Sequence, residues 1–266
     1  LGQAPFFLFV NYFDAHAPYS PPADFERPAS LRVKEEERAA KTPEDSEKTP
    51  LIARYIEKLN QGVEASSRAQ RPADELLEIE NTLAGYDAEL AYLDLHLGRL
   101  LEAIEKRPHS ENTWVIITSD HGYHLGEKQI TGKNTLWDRS ARVPLIFAGP
   151  GVNEGESSGR PAELLDMYPT LSELCGLEIP GHIEGMSLVP QLKDADAPRS
   201  RPAITTDNHD NHGVRTEKWR YIQYADGSEE LYNLADDLSE TKDLAAKQES
   251  KRRELASDLD RWLKSV

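Results

Sequence analysis

Trp114-Val115-Ile116-Ile117-Thr118 is an apolar, β-branched run that stops abruptly at Ser119-Asp120-His121-Gly122. So short and so apolar a run predicts a strand covered on both faces, as strands in parallel α/β sheets are. That prediction requires covering elements nearby. Upstream, Leu76, Leu83, Leu90, Leu97 and Ile104 recur every seven residues, with Ile79, Tyr86, Leu93 and Leu100 three further on. This spacing puts one apolar stripe on a long helix. A coiled coil would read similarly, but Gly85, Gly98 and the strand that follows favour a helix lying on a sheet, and Pro108 helps to end it. Phe6-Phe7-Leu8-Phe9-Val10-Asn11 reads as an earlier strand, and Val143-Pro144-Leu145-Ile146-Phe147-Ala148 as a later buried one, stopped by Gly149-Pro150-Gly151. Strand, helix, strand with short links predicts an α/β class with a mainly parallel sheet.

Around this core, residues 12–22 form a proline-punctuated loop, and residues 23–75 a long polar excursion with few apolar anchors. Leu164 to Leu174 has the spacing of a short amphipathic helix carrying Asp166 and Tyr168. From about Arg201 the texture changes to short, aromatic, alternating segments: Ala203–Thr206, Gly213–Arg215, Trp219–Tyr224 and Glu230–Tyr232. Asp226-Gly227 is a strong hairpin signal between the last two. We therefore expect residues 1–200 to form one domain and 201–266 a small antiparallel sheet closed by a C-terminal helix, with Leu255, Leu259 and Trp262 inward.

The formal net charge of −16 argues against a general nucleic-acid binder, which presents a basic face. No apolar run reaches the roughly 18 residues of a membrane span. Cys175, the only cysteine, follows Leu171-Ser172-Glu173-Leu174 at helical spacing and is expected to pack rather than react. The chain opens at Leu1 and enters an apolar run almost at once, with no basic leader or cleavage site. It reads as part of a longer protein, and its compartment is open.

Ligands of open α/β sheets gather beyond the carboxyl ends of the strands, where Asp120 and His121 stand. A carboxylate beside an imidazole is a partial divalent-cation site; equally, Asp120 caps a turn before Gly122 and His121 lies on the surface. The connection from Gly122 to Trp137 is long and rich in glycine and polar groups, as functional loops are. It brings His124, Lys128 and Lys133 close in sequence to Asp120 and His121, with Arg139 and Arg142 shortly after. In so acidic a chain, that concentration of cations points to an anionic ligand, and lysine serves tetrahedral oxyanions as a point charge.

The segments Phe6–Pro18, Ser119–Lys133, Val143–Gly151, Leu165–Leu171 and Asn211–Tyr232 occur in an order that resembles the sulfatases of the alkaline-phosphatase superfamily, most closely the iduronate-2-sulfatase-like bacterial group. The resemblance covers nearly everything outside 23–75. It implies part of an alkaline-phosphatase-like α/β sandwich. It implies that Asp120 and His121 are two ligands of a calcium ion, magnesium being the alternative. Lys133 then contacts the sulfate and the bridging ester oxygen, and His16, in His16-Ala17-Pro18, sits near the leaving oxygen. His124, Lys128, His212 and Arg215 are weaker candidates for shaping the substrate pocket, and Arg215 reads as easily as a structural ion-pair partner.

The family's aspartate pair and its Cys/Ser-x-Pro-x-Arg motif, the source of the formylglycine nucleophile, do not occur here; Cys175 is followed by Gly-Leu-Glu. The expectation is therefore the C-terminal portion of a sulfatase, inactive alone, with formylglycine supplied by an N-terminal part. The implied substrate is a sulfated sugar or glycan, and the family is usually periplasmic or extracellular. Two other readings stand beside it: a phosphoesterase or phosphonate hydrolase of the same superfamily, and a non-catalytic module that binds anionic glycans.

Overall fold

The computed structural model describes residues 5–26 and 73–264. These fall into two units, one comprising the N-terminal segment and the chain up to Ser110, the other beginning at Glu111. Most of the 23–75 excursion lies outside the described residues.

In the first unit the heptad-spaced run forms α1 (Ala73–Glu105), a helix of 33 residues. Its apolar stripe is half-buried at Leu83, Tyr86, Leu93, Leu97, Leu100 and Ile104, while Leu90 is exposed. The N-terminal segment runs along this helix. Tyr19 meets Tyr86 edge-on with ring centres 5.7 Å apart, and Phe25 meets Tyr92 at 5.1 Å. Gly85 permits this approach, because a Cβ there would lie 2.7 Å from that of Tyr19. The strand expected at 6–11 is a correction: it has no ladder partner among the described residues, and Phe6 through Val10 are all exposed. A strand exists only where a neighbour takes its backbone hydrogen bonds.

The second unit contains β1 (Val115–Thr118), β2 (His124–Leu125), β3 (Thr131–Gly132), α2 (Asp138–Ala141) and β4 (Leu145–Ala148). Here the pairing also departs from expectation. β1 and β4 are antiparallel, from Val115 opposite Ala148 to Thr118 opposite Leu145, and every strand pair among the described residues is antiparallel. A parallel return needs a crossover, usually a helix. The 119–142 connection is spent instead on the β2–β3 hairpin and the single turn of α2, so the chain comes back alongside β1 in the opposite direction. Both strands are only partly covered, and Ile146 is exposed.

Beyond β4, α3 (Met167–Leu174) and α4 (Val189–Lys193) are tied together through buried polar groups. Asp166, fully buried ahead of α3, accepts from the backbone N–H of Met186 and Glu163 and from Arg199, each at 2.8 Å. Cys175 does not pack as expected. It caps the end of α3, its N–H bonding the carbonyl of Leu171 at 3.0 Å, and its side chain faces solvent.

The C-terminal segments form the expected antiparallel sheet in the order β5 (Ala203–Asp207), β6 (Asn211–Arg215), β7 (Trp219–Gln223) and β8 (Glu229–Asn233), followed by α5 (Glu249–Leu263). The Asp226-Gly227 turn closes β7 onto β8, with Gly227 at φ 84 and Ser228 N–H bonded to the Asp226 carboxylate. Strand alternation sends Val214, Tyr221 and Leu231 to one face, where Leu255 and Leu259 of α5 meet them. All five are at most 2% exposed, each contributing about 1.5–3 kcal/mol by burial. Trp262 is half-buried. Ile222 and Tyr232 point to the opposite face and pack on Leu136, next to Trp137. The sheet is thus covered on both faces, by α5 on one and by the end of the 122–137 loop on the other.

Candidate active site

Asp120 and His121 stand just past the end of β1, on a turn shaped by Ser119 and Gly122. The Ser119 hydroxyl bonds the His121 carbonyl at 3.0 Å, and the His121 N–H donates to Asp120 Oδ1 at 3.0 Å. Gly122 N–H reaches the Ser140 carbonyl at 2.7 Å, and a Cβ at 122 would collide with the carbonyl of Arg139. The Asp-His-Gly order therefore has a packing reason as well as a chemical one: only glycine lets the end of α2 pass this close.

His121 Nδ1 lies 2.8 Å from the carbonyl of Gly122, so that nitrogen carries a proton and donates it. The lone pair of the neutral ring is then on Nε2, which stands 3.4 Å from Asp120 Oδ2. Burial acts to raise the Asp120 pKa, but the His121 ring, two backbone N–H groups and the Ser119 hydroxyl outweigh it and hold the carboxyl below its ordinary value. The result is an anionic oxygen and an imidazole lone pair side by side, with the Asp120 side chain 83% exposed. A separation of 3.4 Å suits adjacent ligands of an ion with bonds of about 2.3–2.6 Å. The donor set fits one edge of a calcium or magnesium shell. Among the described residues no group of three or more His, Cys, Asp or Glu gathers to complete it.

Lys133 follows β3 directly. The β2–β3 hairpin pairs His124 with Gly132, and Thr135 N–H closes the next turn onto the Lys133 carbonyl at 3.0 Å. The Lys133 side chain is half-buried, and no described residue forms a hydrogen bond or ion pair with its ammonium. Its charge is uncommitted. His16 belongs to the other unit. It is exposed, lies against the Phe13 ring with centres 4.6 Å apart, and directs Nδ1 to the Ala17 carbonyl at 2.8 Å, which leaves Nε2 as its outward nitrogen.

The weaker candidates have other occupations. His124 is fully buried, so no substrate reaches it; it braces the Lys133 turn through Thr135 Oγ1 at 2.9 Å, and burial lowers its pKa. Lys128 also departs from the substrate-pocket expectation. Its ammonium donates to the Glu240 carbonyl and lies 4.4 Å from the centre of the Trp137 ring and 4.9 Å from that of Tyr232. Burial lowers its pKa too. Arg215 is an ion-pair partner of Asp138 at 3.7 Å, the structural role open to it from the start. His212 pairs with Thr206 across the β5–β6 ladder, Nδ1 to Oγ1 at 3.0 Å, and remains half-buried near the hairpin end.

The sulfatase family model matches residues 1–177. The chain belongs to the sulfatase family. A second model, described as N-sulphoglucosamine sulphohydrolase, C-terminal, matches residues 126–266 of this sulfatase-family chain. A protein named Sulfatase from Formosa agariphila is 40% identical over 61% of the chain and 32% of its own length. Arylsulfatase K of Danio rerio is 33% identical over 71% of the chain and 38% of its own. The chain thus spans about a third of the length of these curated relatives. Among solved structures, one in complex with its substrate D-glucosamine-2-N,6-O-disulfate superposes with a TM-score of 0.62 and 27% identity, covering 73% of this chain and 43% of that one. The fold is the alkaline-phosphatase-like α/β fold of sulfatases.

The sulfatase sequence hid one group of residues behind the loop. Arg220, 2% exposed as the second residue of β7, pairs with Asp138 and, through Nε at 2.8 Å, with Glu240. It also donates to the Leu136 carbonyl at 2.7 Å. Glu240 Oε2 accepts the Asp138 N–H at 2.7 Å. A charge set among Trp219, Tyr221 and Ile222 in a strand was the available signal for Arg220. Glu240, in a polar turn, offered none.

Proposed function

We propose that this chain is the C-terminal portion of a sulfuric ester hydrolase acting on a sulfated sugar or glycan. The observation that carries the reading is the Asp120–His121 donor edge, ordered by its own turn and exposed, on the same loop as the uncommitted Lys133. Family membership supports the reaction class, and the sulfated glucosamine bound by a structural relative supports the substrate class.

Asp120 and His121 would hold one edge of a calcium or magnesium ion; when bound, such an ion supplies positive charge to the oxygens of the ester sulfate. Lys133 would place its ammonium against the sulfate and the bridging oxygen, where negative charge grows as the S–O bond breaks. The place near the leaving oxygen that the family resemblance gives His16 calls for a proton donor there; with Nδ1–H held by the Ala17 carbonyl, the nitrogen open to that role in His16 is Nε2. Water replaces the alcohol at sulfur overall, so one ester and one water yield one alcohol and one hydrogen sulfate.

No residue of this chain supplies the nucleophile: Cys175 lacks the x-Pro-x-Arg context that formylglycine formation needs. We place the nucleophile in a segment outside these residues and expect no turnover without it. The test is sulfate release from 4-nitrophenyl sulfate and from sulfated glucosamine, by the chain alone and by a polypeptide extended upstream. Turnover in the extended form only, reduced about 10²-fold or more by Lys133→Ala, is the expected result. Preferential hydrolysis of phosphate or phosphonate esters, or glycan binding with no turnover in either form, overturns the reading.

A further inference from the structure

A single residue fastens the Lys133 loop at two points. The backbone carbonyl of Glu240 receives the Lys128 ammonium, and its carboxylate receives the Asp138 N–H at 2.7 Å. Lys133 lies five residues from each anchor, at the middle of the segment they enclose. Arg220 completes the clamp by holding the Glu240 carboxylate, the Asp138 carboxylate and the Leu136 carbonyl together. Glu240 is 2% exposed and is set in a tight turn. Its φ is 53, its N–H bonds the Asp237 carbonyl at 3.1 Å, and the Asp237 carboxylate bonds the next two N–H groups at 2.8 Å each. Such a turn is a rigid post, and its partners lie 102 and 112 residues earlier in the chain.

We propose that Glu240 is a positioning residue for Lys133: it fixes both ends of the 128–138 segment so that the ammonium at its centre is held where the ester oxygens arrive. The part concerning Lys133 rests on the sulfatase reading above; the anchoring does not. An ammonium on a tethered loop is placed before reaction, whereas on a free loop it must be ordered during it, and preorganised charge is the larger part of such stabilisation.

Two measurements test the two halves. Amide hydrogen exchange on the 266-residue chain reads the anchoring. Glu240→Ala keeps the backbone carbonyl that holds Lys128 and removes the carboxylate that holds Asp138, so the amides of 133–138 are expected to exchange about tenfold faster or more, while the Val214–Leu231–Leu259 core keeps its protection. Unchanged exchange in the loop overturns the proposal. Dependence on the leaving group reads the positioning, in the upstream-extended polypeptide. A sugar 6-O-sulfate has a poor leaving alkoxide and needs Lys133, whereas 4-nitrophenyl sulfate needs it less. Glu240→Ala is expected to lower kcat about tenfold more on the sugar sulfate than on the aryl sulfate, with KM moving less than kcat. Glu240→Gln, which keeps an acceptor for Asp138 N–H, recovers part of the loss and serves where Glu240→Ala folds poorly. Leu259→Ala, a core variant far from the loop in sequence, lowers both substrates alike through the folded fraction. Equal loss on both substrates in Glu240→Ala and Glu240→Gln overturns the positioning role. Faster loop exchange in Glu240→Ala, together with no sulfatase activity in the wild-type extended polypeptide, overturns the reading of Lys133 and leaves the anchoring standing.

Discussion

The Asp120–His121 turn and the Asp138–Arg220–Glu240 cluster are both built from carboxylates facing cationic or proton-bearing groups, yet they are opposites in construction. The first is exposed and assembled from four consecutive residues, its side-chain hydrogen bonds spanning one or two positions. The second is buried and joins residues 82 and 102 positions apart. In the first, charge stays in water and costs the fold little, so it remains free for a ligand. In the second, charge is desolvated and each member depends on the others. The exposed donor edge and the cluster that anchors the loop beside it are thus separated by burial, with the Lys133 loop connecting the two.

Removing Arg220 should expose that difference most sharply. Arg220→Met removes the cation that the buried Asp138 and Glu240 share, a loss of about 3–5 kcal/mol that urea unfolding would read. A loss under about 1 kcal/mol would mean that water reaches the cluster and the contrast with the exposed turn is false. Gly122→Ala comes next. A methyl group there meets the Arg139 carbonyl, which belongs to the backbone and cannot swing aside, so about 1–3 kcal/mol should be lost. Thermal unfolding would show it, and a neutral result would mean that the close approach to α2 is not maintained.

A pH series sharpens the comparison further. Burial pushes Glu240 up to about 7, against the pull of Arg220, the Asp138 N–H and Lys128, with Asp138 opposing them. An unfolded glutamate titrates near its ordinary 4.5, so between these values the folded chain holds the extra proton. Folded stability relative to Glu240→Gln should therefore fall as pH rises from about 4.5 to about 7 and stay level on either side. A difference that grows with pH would show that Arg220 outweighs burial. For Asp120 the shift is downward, so its contribution is present above the ordinary carboxyl range and is lost as pH falls through its lowered value. The smallest effect on stability is expected there. Asp120→Asn should change unfolding by less than about 0.5 kcal/mol. Calorimetric titration of the upstream-extended polypeptide should nevertheless show calcium binding weakened at least about tenfold. Unaltered calcium affinity would place the ion elsewhere.

Much of this could be read along the chain. The heptad spacing at 76–104 marked α1, the Asp226-Gly227 pair marked the β7–β8 turn, and the alternation after residue 201 marked the sheet on which α5 packs. Asp120, His121 and Lys133 stood out for the same reason: local patterns record periodicity, turns and the chemistry of neighbouring side chains. Three things were decided only by tertiary structure. One was the direction in which β4 returns to β1, because a run of apolar residues reads alike parallel or antiparallel. Another was the fate of His124 and Lys128, whose polar groups look available until burial and an aromatic pair claim them. The third was the Glu240 clamp, since a glutamate in a polar turn carries no mark of a partner a hundred residues away. Sequence carries what neighbours along the chain impose on one another; desolvation and long-range pairing exist only once the chain has closed on itself.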